Sequence, residues 1–247
     1  MVAGPRAGML AASLVAIALL PRAGGPAPAA LPAAAARLPQ ELDSLVVTAS
    51  PVITPRPATV PGVANPILSL NGTWEFSPAK GVAPKPIEVP GEWAMQGFEV
   101  PSGGFATYTR RFDVPADWQG RTVKLRFDAV HAVCGVLVNG QPVGGHEGGF
   151  VPFELDVTNA IRPGGNEIVV RVLSESVADS VSCISQYAAH QVGGIVRKVT
   201  LFAVPRVFVS KLWYETAVTG ADARVTVHAD FAQADPMAKH LGRLAAD

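Results

Sequence analysis

The sequence predicts an all-β chain: an antiparallel jelly-roll β-sandwich followed by the first strands of an incomplete immunoglobulin-like sandwich. Three observations predict it. Short segments alternate apolar and polar residues, as strands with one buried face do. Asn-Gly and Gly-Gly-Asn turns separate them. From Leu68 to Val204 no apolar stripe persists at helical spacing over three turns.

Taken in order, Gly72 to Phe76 (GTWEF), Tyr108 to Val114 (YTRRFDV) and Val123 to Phe127 (VKLRF) alternate bulky and polar residues. Val136 to Val143 places an apolar strand before Asn139-Gly140 and a return strand after it. Asn-Gly suits a type I′ hairpin because both residues tolerate positive φ. Phe153 to Val157 alternates again, Gly164-Gly165-Asn166 turns the chain into Glu167 to Leu173, and Ile195 to Val204 forms a further strand. About seven or eight strands are enough for a jelly roll. Trp74 and Phe112 are expected in its core. Val207 to Thr216 and Ala223 to Phe231 read as two more strands, fewer than the seven or so an immunoglobulin-like sandwich needs. The tail from Ala232 shows no strand pattern. Leu45 to Val47 is a candidate short edge strand.

Nearly half of the 247 residues are hydrophobic, 16% are charged, and the formal net charge is zero. Without a basic surplus, nucleic acid is not an expected partner. The two cysteines, Cys134 and Cys183, are too few for a disulfide framework and lack metal-ligand spacing. A single bridge and a buried free thiol at Cys134 both remain open.

Arg6 precedes an uninterrupted apolar run from Met9 to Leu20, closed by Pro21. The run is short for a membrane span, which takes about 20 apolar residues, and suits an export signal. An uncleaved anchor or an Ala-rich tail is the alternative. The expected division is a signal peptide over 1–25, an Ala/Pro-rich linker over 26–66, the jelly roll over 67–204 and a partial, truncated immunoglobulin-like domain over 205–247. Localisation is expected to be secreted or periplasmic, with no membrane association after signal removal.

Leu70-Asn71-Gly72-Thr73-Trp74-Glu75-Phe76, Val89-Pro90-Gly91-Glu92-Trp93, Tyr108 to Pro115, Val138-Asn139-Gly140 with Val143-Gly144, Pro152 to Thr158, Gly164-Gly165-Asn166 and Gly193 to Val199 occur in that order. Together they resemble the sugar-binding domain of glycoside hydrolase family two, the family of β-galactosidases, β-mannosidases and β-glucuronidases. The resemblance covers residues from about 68 to 231. It implies a carbohydrate (β-glycoside) as ligand. It also implies a following immunoglobulin-like domain and a (β/α)₈ barrel, whose two glutamates perform retaining hydrolysis. Neither glutamate can be placed on this sequence, so no catalytic residue, cofactor or metal is expected here, and the barrel is the expected intramolecular partner. A stand-alone carbohydrate-binding module without catalysis is the alternative.

The residues themselves suggest two candidate sugar-contacting regions. Gly144 to Phe150 (GGHEGGF) holds His146 and Glu147; it reads either as a loop facing hydroxyls or as a connection whose glycines satisfy backbone geometry. Ser174 to Val192 is longer than a usual connection and holds Gln186, Tyr187 and His190. In the β-galactosidase branch this region carries an acidic residue; Ala188 stands at the corresponding place, a departure from that pattern. His131 reads as a partly buried structural histidine. Asn71-Gly72-Thr73 reads as a strand start rather than a glycosylation site.

Overall fold

The computed structural model describes residues 53–101, 103–174, 192–220 and 222–233, and the backbone of 243–246. Three antiparallel sheets hold more than half of them. The order of strands is β1 (Ile67–Ser69), β2 (Gly72–Ser77), β3 (Lys85–Val89), β4 (Phe105–Val114), β5 (Thr122–Phe127), β6 (Val133–Val138), β7 (Gln141–Glu147), β8 (Phe153–Asp156), β9 (Gly164–Leu173) and β10 (Val199–Val204), then β11 (Val207–Thr219), β12 (Asp222–Gln233) and β13 (Arg243–Ala246). Short 3₁₀ turns at Ala94–Gln96 and Ala116–Trp118 complete the elements.

A six-stranded sheet, β3-β2-β4-β9-β6-β7, faces a four-stranded sheet, β1-β10-β5-β8. This is the expected sandwich, built from ten strands between Ile67 and Val204. One core runs between the sheets. Trp74, Phe76, Tyr108, Val136 and Val170 enter it from the larger sheet, and Leu125, Phe127, Phe153 and Leu201 from the smaller. Each is buried because period-2 alternation puts it on the inner face. Trp74 is 2% exposed, and its indole N–H donates to the Leu70 carbonyl at 2.8 Å. Phe112 lies on the inward phase of β4 but is only half-buried, at the edge of the core. The core expectation for Phe112 is corrected in that sense.

β10 is buried at all six positions. Val199, Leu201 and Ala203 face the sandwich core, while Phe202 and Val204 pack with Phe208 of β11 and Ala232 of β12. A strand covered on both faces reads as a continuous apolar run, which is what Leu201 to Val204 (LFAV) is.

The turns follow their chemistry. Asn139 and Gly140 both have positive φ, 51° and 77°. In Gly164-Gly165-Asn166 only Gly164 has positive φ, 80°; Asn166 acts through its side-chain amide, which donates to the Arg162 and Gly164 carbonyls at 2.7 Å. The Asp156 carboxylate accepts from the Thr158 N–H and hydroxyl, and the Thr158 oxygen accepts from the Val123 N–H. Asn71 accepts from the Val199 N–H at 2.9 Å, tying the start of β2 to β10.

Two elements depart from the expectation. Residues 53–66, assigned to the linker, lie against the sandwich: the Thr54 N–H donates to Glu154, the Trp118 indole donates to the Asn65 carbonyl, and Val60 is 3% exposed. A turn closes between Val60 and Val63, and the free Pro61 and Asn65 carbonyls take donors from the domain. The tail is not strandless either. β13 pairs with β12 from Asp230 to Val227. Its sequence, RLAA, is short and poor in strand formers, so pairing with an exposed edge decides its conformation. The Leu45 to Val47 expectation falls outside the described residues. Among the described residues no helix is long and apolar enough to cross a membrane.

Candidate functional site

Antiparallel alternation sends the β5–β6, β7–β8 and β9–β10 connections to one end of the sandwich, and the β4–β5, β6–β7, β8–β9 and β10–β11 connections to the other. His146 and Glu147, near the end of β7, belong to the first end.

There the backbone binds four segments together. His131 and Gly194 exchange N–H···O bonds at 2.9 and 3.1 Å. The Gly148 N–H donates to Ala132, the Gly91 N–H to Ile195 and the Trp93 N–H to Gly193. Gly193-Gly194 is required by close approach: a Cβ on Gly193 would sit 2.0 Å from the Trp93 ring, and one on Gly194 2.5 Å from the Tyr108 hydroxyl. Gly194 also has φ 118°. Burial pushes the Tyr108 phenol well above its ordinary pKa, so it stays neutral beneath Gly194.

The glycines of the GGHEGGF segment have a similar cause. Gly148 and Gly149 pass between two imidazoles. A Cβ on Gly148 would lie 2.9 Å from His146 Nε2, and one on Gly149 2.5 Å from His131 Cδ2. The segment is not all loop, because β7 runs through Glu147 and pairs with β6.

Strand alternation then separates the two polar candidates. Glu147 is exposed, whereas His146 points inward and is only 5% exposed. The His146 ring stacks on Phe153 at 4.4 Å, which stacks on Phe127 at 5.1 Å. Among the described residues neither ring nitrogen of His146 has a hydrogen-bond partner. Burial lowers its pKa, opposed by the Glu147 charge, so the neutral form is favoured in the folded protein. His146 and Glu147 therefore do not converge on one ligand atom. Gln186, Tyr187, His190 and Ala188 lie outside the described residues.

The reading of motifs did not single out Phe150. It is 56% exposed, with Val151 48% exposed beside it, and its ring lies 5.1 Å from that of His131. An exposed aromatic face with imidazole and carboxylate neighbours can pack on the apolar face of a sugar ring and bond its hydroxyls. Its sequence cue is an aromatic residue after two glycines, which is indistinguishable from a core anchor without the fold.

Cys134 is fully buried on β6 with a free thiol, pushed up to about 12 by desolvation, and is chemically quiet. Cys183 falls outside the described residues. Among the described residues no group of three or more His, Cys, Asp or Glu is placed to hold a metal ion.

Residues 99–205, which carry all but the first strands of this sandwich, match the family described as "Glycosyl hydrolases family 2, sugar binding domain". Over these residues the chain is similar to that sugar-binding domain. The family 2 match is supported by a β-galactosidase of Priestia megaterium, 27% identical over 202 residues, which spans 66% of this chain and 19% of the relative. A β-glucuronidase of Bacteroides fragilis is 26% identical over 152 residues, 59% of this chain and 22% of the relative. The crystal structure of Ruminococcus gnavus β-glucuronidase superposes with a TM-score of 0.58 at 26% identity, covering 67% of this chain and 33% of that one. The chain spans about a fifth of the length of these curated relatives.

Proposed function

We propose that this chain is the N-terminal sugar-binding portion of a secreted, retaining β-glycosidase of β-galactosidase-like type. In this reading the catalytic barrel lies outside the 247 residues and acts as the intramolecular partner. The end of the sandwich that carries His131, Glu147 and Phe150 is one wall of the β-glycoside pocket, and the barrel supplies both carboxylates. The family 2 match over residues 99–205 is the observation that supports it. The apolar run from Met9 to Leu20 after Arg6 supports export. The exposed row Leu212, Tyr214, Val225 and Val227 on one face of β11–β12 supports a second sheet packing there, as an immunoglobulin-like sandwich would provide.

The test is an assay of the purified chain on aryl β-galactoside, β-glucuronide and β-mannoside, paired with binding of the same sugars. The expected result is weak binding, reduced by Phe150→Ala, with no turnover. Turnover that survives repurification and disappears on changing Glu92, Glu147 or Glu154 would overturn the division of labour proposed here.

A further inference from the structure

The opposite end of the sandwich holds a cleft of about 530 Å³ formed by the β4–β5, β8–β9 and β10–β11 connections. Three arginines line it, Arg121, Arg162 and Arg206, and no aspartate or glutamate does. In a chain of zero net charge this is a local concentration of one sign. Two of the guanidinium groups are anchored on backbone. Arg121 donates to the Pro61 carbonyl, and Arg162 Nε donates to the Gly165 carbonyl at 3.1 Å. Each anchor leaves further N–H groups of a five-donor fork unspent. Arg206 is exposed and has neither a hydrogen-bond nor an ion-pair partner among the described residues. The Asp117 carboxylate, the acid nearest in sequence to Arg121 on this connection, accepts from the Ala64 N–H instead.

We infer that this cleft is a second ligand site, for the carboxylate or sulfate groups of an acidic oligosaccharide. Guanidinium forks match planar oxyanions in geometry as well as charge. Gln119 adds an amide for hydroxyls, and Pro115 and Ile161 give an apolar floor. No exposed aromatic ring lines the cleft, because Trp118 is only 2% exposed. Recognition here is therefore by charge, not by stacking, unlike at the Phe150 end. The anion site stands on the arginines alone; the saccharide as its carrier rests on the sugar-binding reading above.

The experiment titrates the full chain, by calorimetry at low salt, with tetragalacturonate, neutral cellotetraose, sodium sulfate and an oligothymidylate. Arg162→Gln/Arg206→Gln and Phe150→Ala are run in parallel, with circular dichroism to confirm that each variant folds. Tetragalacturonate should bind, weaken with added salt, and lose about tenfold or more in affinity in the double arginine variant, as expected for lost charged hydrogen bonds. Phe150→Ala reports on the other end: affinity for tetragalacturonate lost in that variant but kept in the double arginine variant places the saccharide there and overturns this site. Absence of tetragalacturonate binding, or binding unchanged in the double variant, overturns the site. Equal binding of sulfate alone or of the oligothymidylate overturns the acidic-saccharide assignment.

Discussion

Replacing His146 with Leu tests the reading of the site end most directly. Two buried ring nitrogens without partners each carry a desolvation cost of about 1–3 kcal/mol. Leu removes that cost at similar volume, but forfeits the stack on Phe153, worth about 0.5–1.5 kcal/mol. At pH 8 the variant should therefore be more stable than the parent, by about 0.5 kcal/mol at the low end of these ranges. The pH dependence separates them. The folded-state pKa of His146 is lowered, so between that value and the ordinary histidine pKa the unfolded chain binds the extra proton. Its contribution is fully present above about pH 6.5 and is lost as pH falls, by at most about 1.4 kcal/mol per pH unit. At pH 5 the upper bound on that loss is about 2 kcal/mol, absent in His146→Leu. Urea unfolding followed by tryptophan fluorescence at pH 5 and 8 measures it. Parallel pH profiles for the two proteins, or a loss above about 3 kcal/mol at pH 8, would refute the placement of a neutral, unpartnered imidazole in the core.

Trp74→Ala should cost about 3–5 kcal/mol in a denaturant titration, and Trp74→Phe only about 1 kcal/mol for the indole hydrogen bond, because Arg110 still donates to the Leu70 carbonyl. Phe112→Ala, at the rim, should cost less than either about 3 kcal/mol or Trp74→Ala. Gly193→Ala should cost about 3 kcal/mol by driving a methyl into Trp93, visible as a red shift in emission, whereas Gly165→Ala, with only Asp113 Oδ1 at 3.8 Å, should stay within about 1 kcal/mol. Burial raises the Asp156 carboxyl, but hydrogen bonds from Thr158 and Lys124 and the Lys124 charge outweigh this and hold it below the ordinary range. Asp156→Asn should therefore cost about 0.5–1 kcal/mol at pH 7, a difference that fades as acid protonates the native carboxylate, read from thermal melts across pH 2–7.

The sandwich was legible wherever one strand face is buried and the other wet, because alternation is then written directly into the residue order. Val123 to Phe127 and Phe153 to Asp156 are such cases, and Asn139-Gly140 marked its turn through the φ values it requires. Legibility failed where tertiary context replaced intrinsic preference. β3 contains Pro86, which argues against a strand, yet β3 is the edge of its sheet, where a missing N–H costs little. The second half of β7, Gly144 to Glu147, is rich in glycine and read as loop; β6 imposes the strand on it. At the site end the sequence located the segment but not the direction of its side chains. His146 and Glu147 are adjacent and polar, and only strand phase sends one to the core and the other to solvent. Phe150 carries no pattern that distinguishes an exposed platform from a buried anchor.

The Asn139-Gly140 hairpin has a bearing on how long the molecule lasts. Asn followed by Gly is the dipeptide most prone to deamidate, because the glycine nitrogen can swing onto the side-chain carbonyl carbon and close a succinimide ring. Here that carboxamide is held from both sides: its nitrogen donates to the Ala160 carbonyl and to Asn166 Oδ1 at 2.8 Å, and its oxygen accepts from the Glu167 N–H at 3.0 Å. Cyclisation must first break all three bonds. The folded protein should accordingly keep its amide through weeks of storage, and the isoaspartate detected by peptide mapping should track the unfolded fraction, making this turn an internal clock for time spent out of the native state.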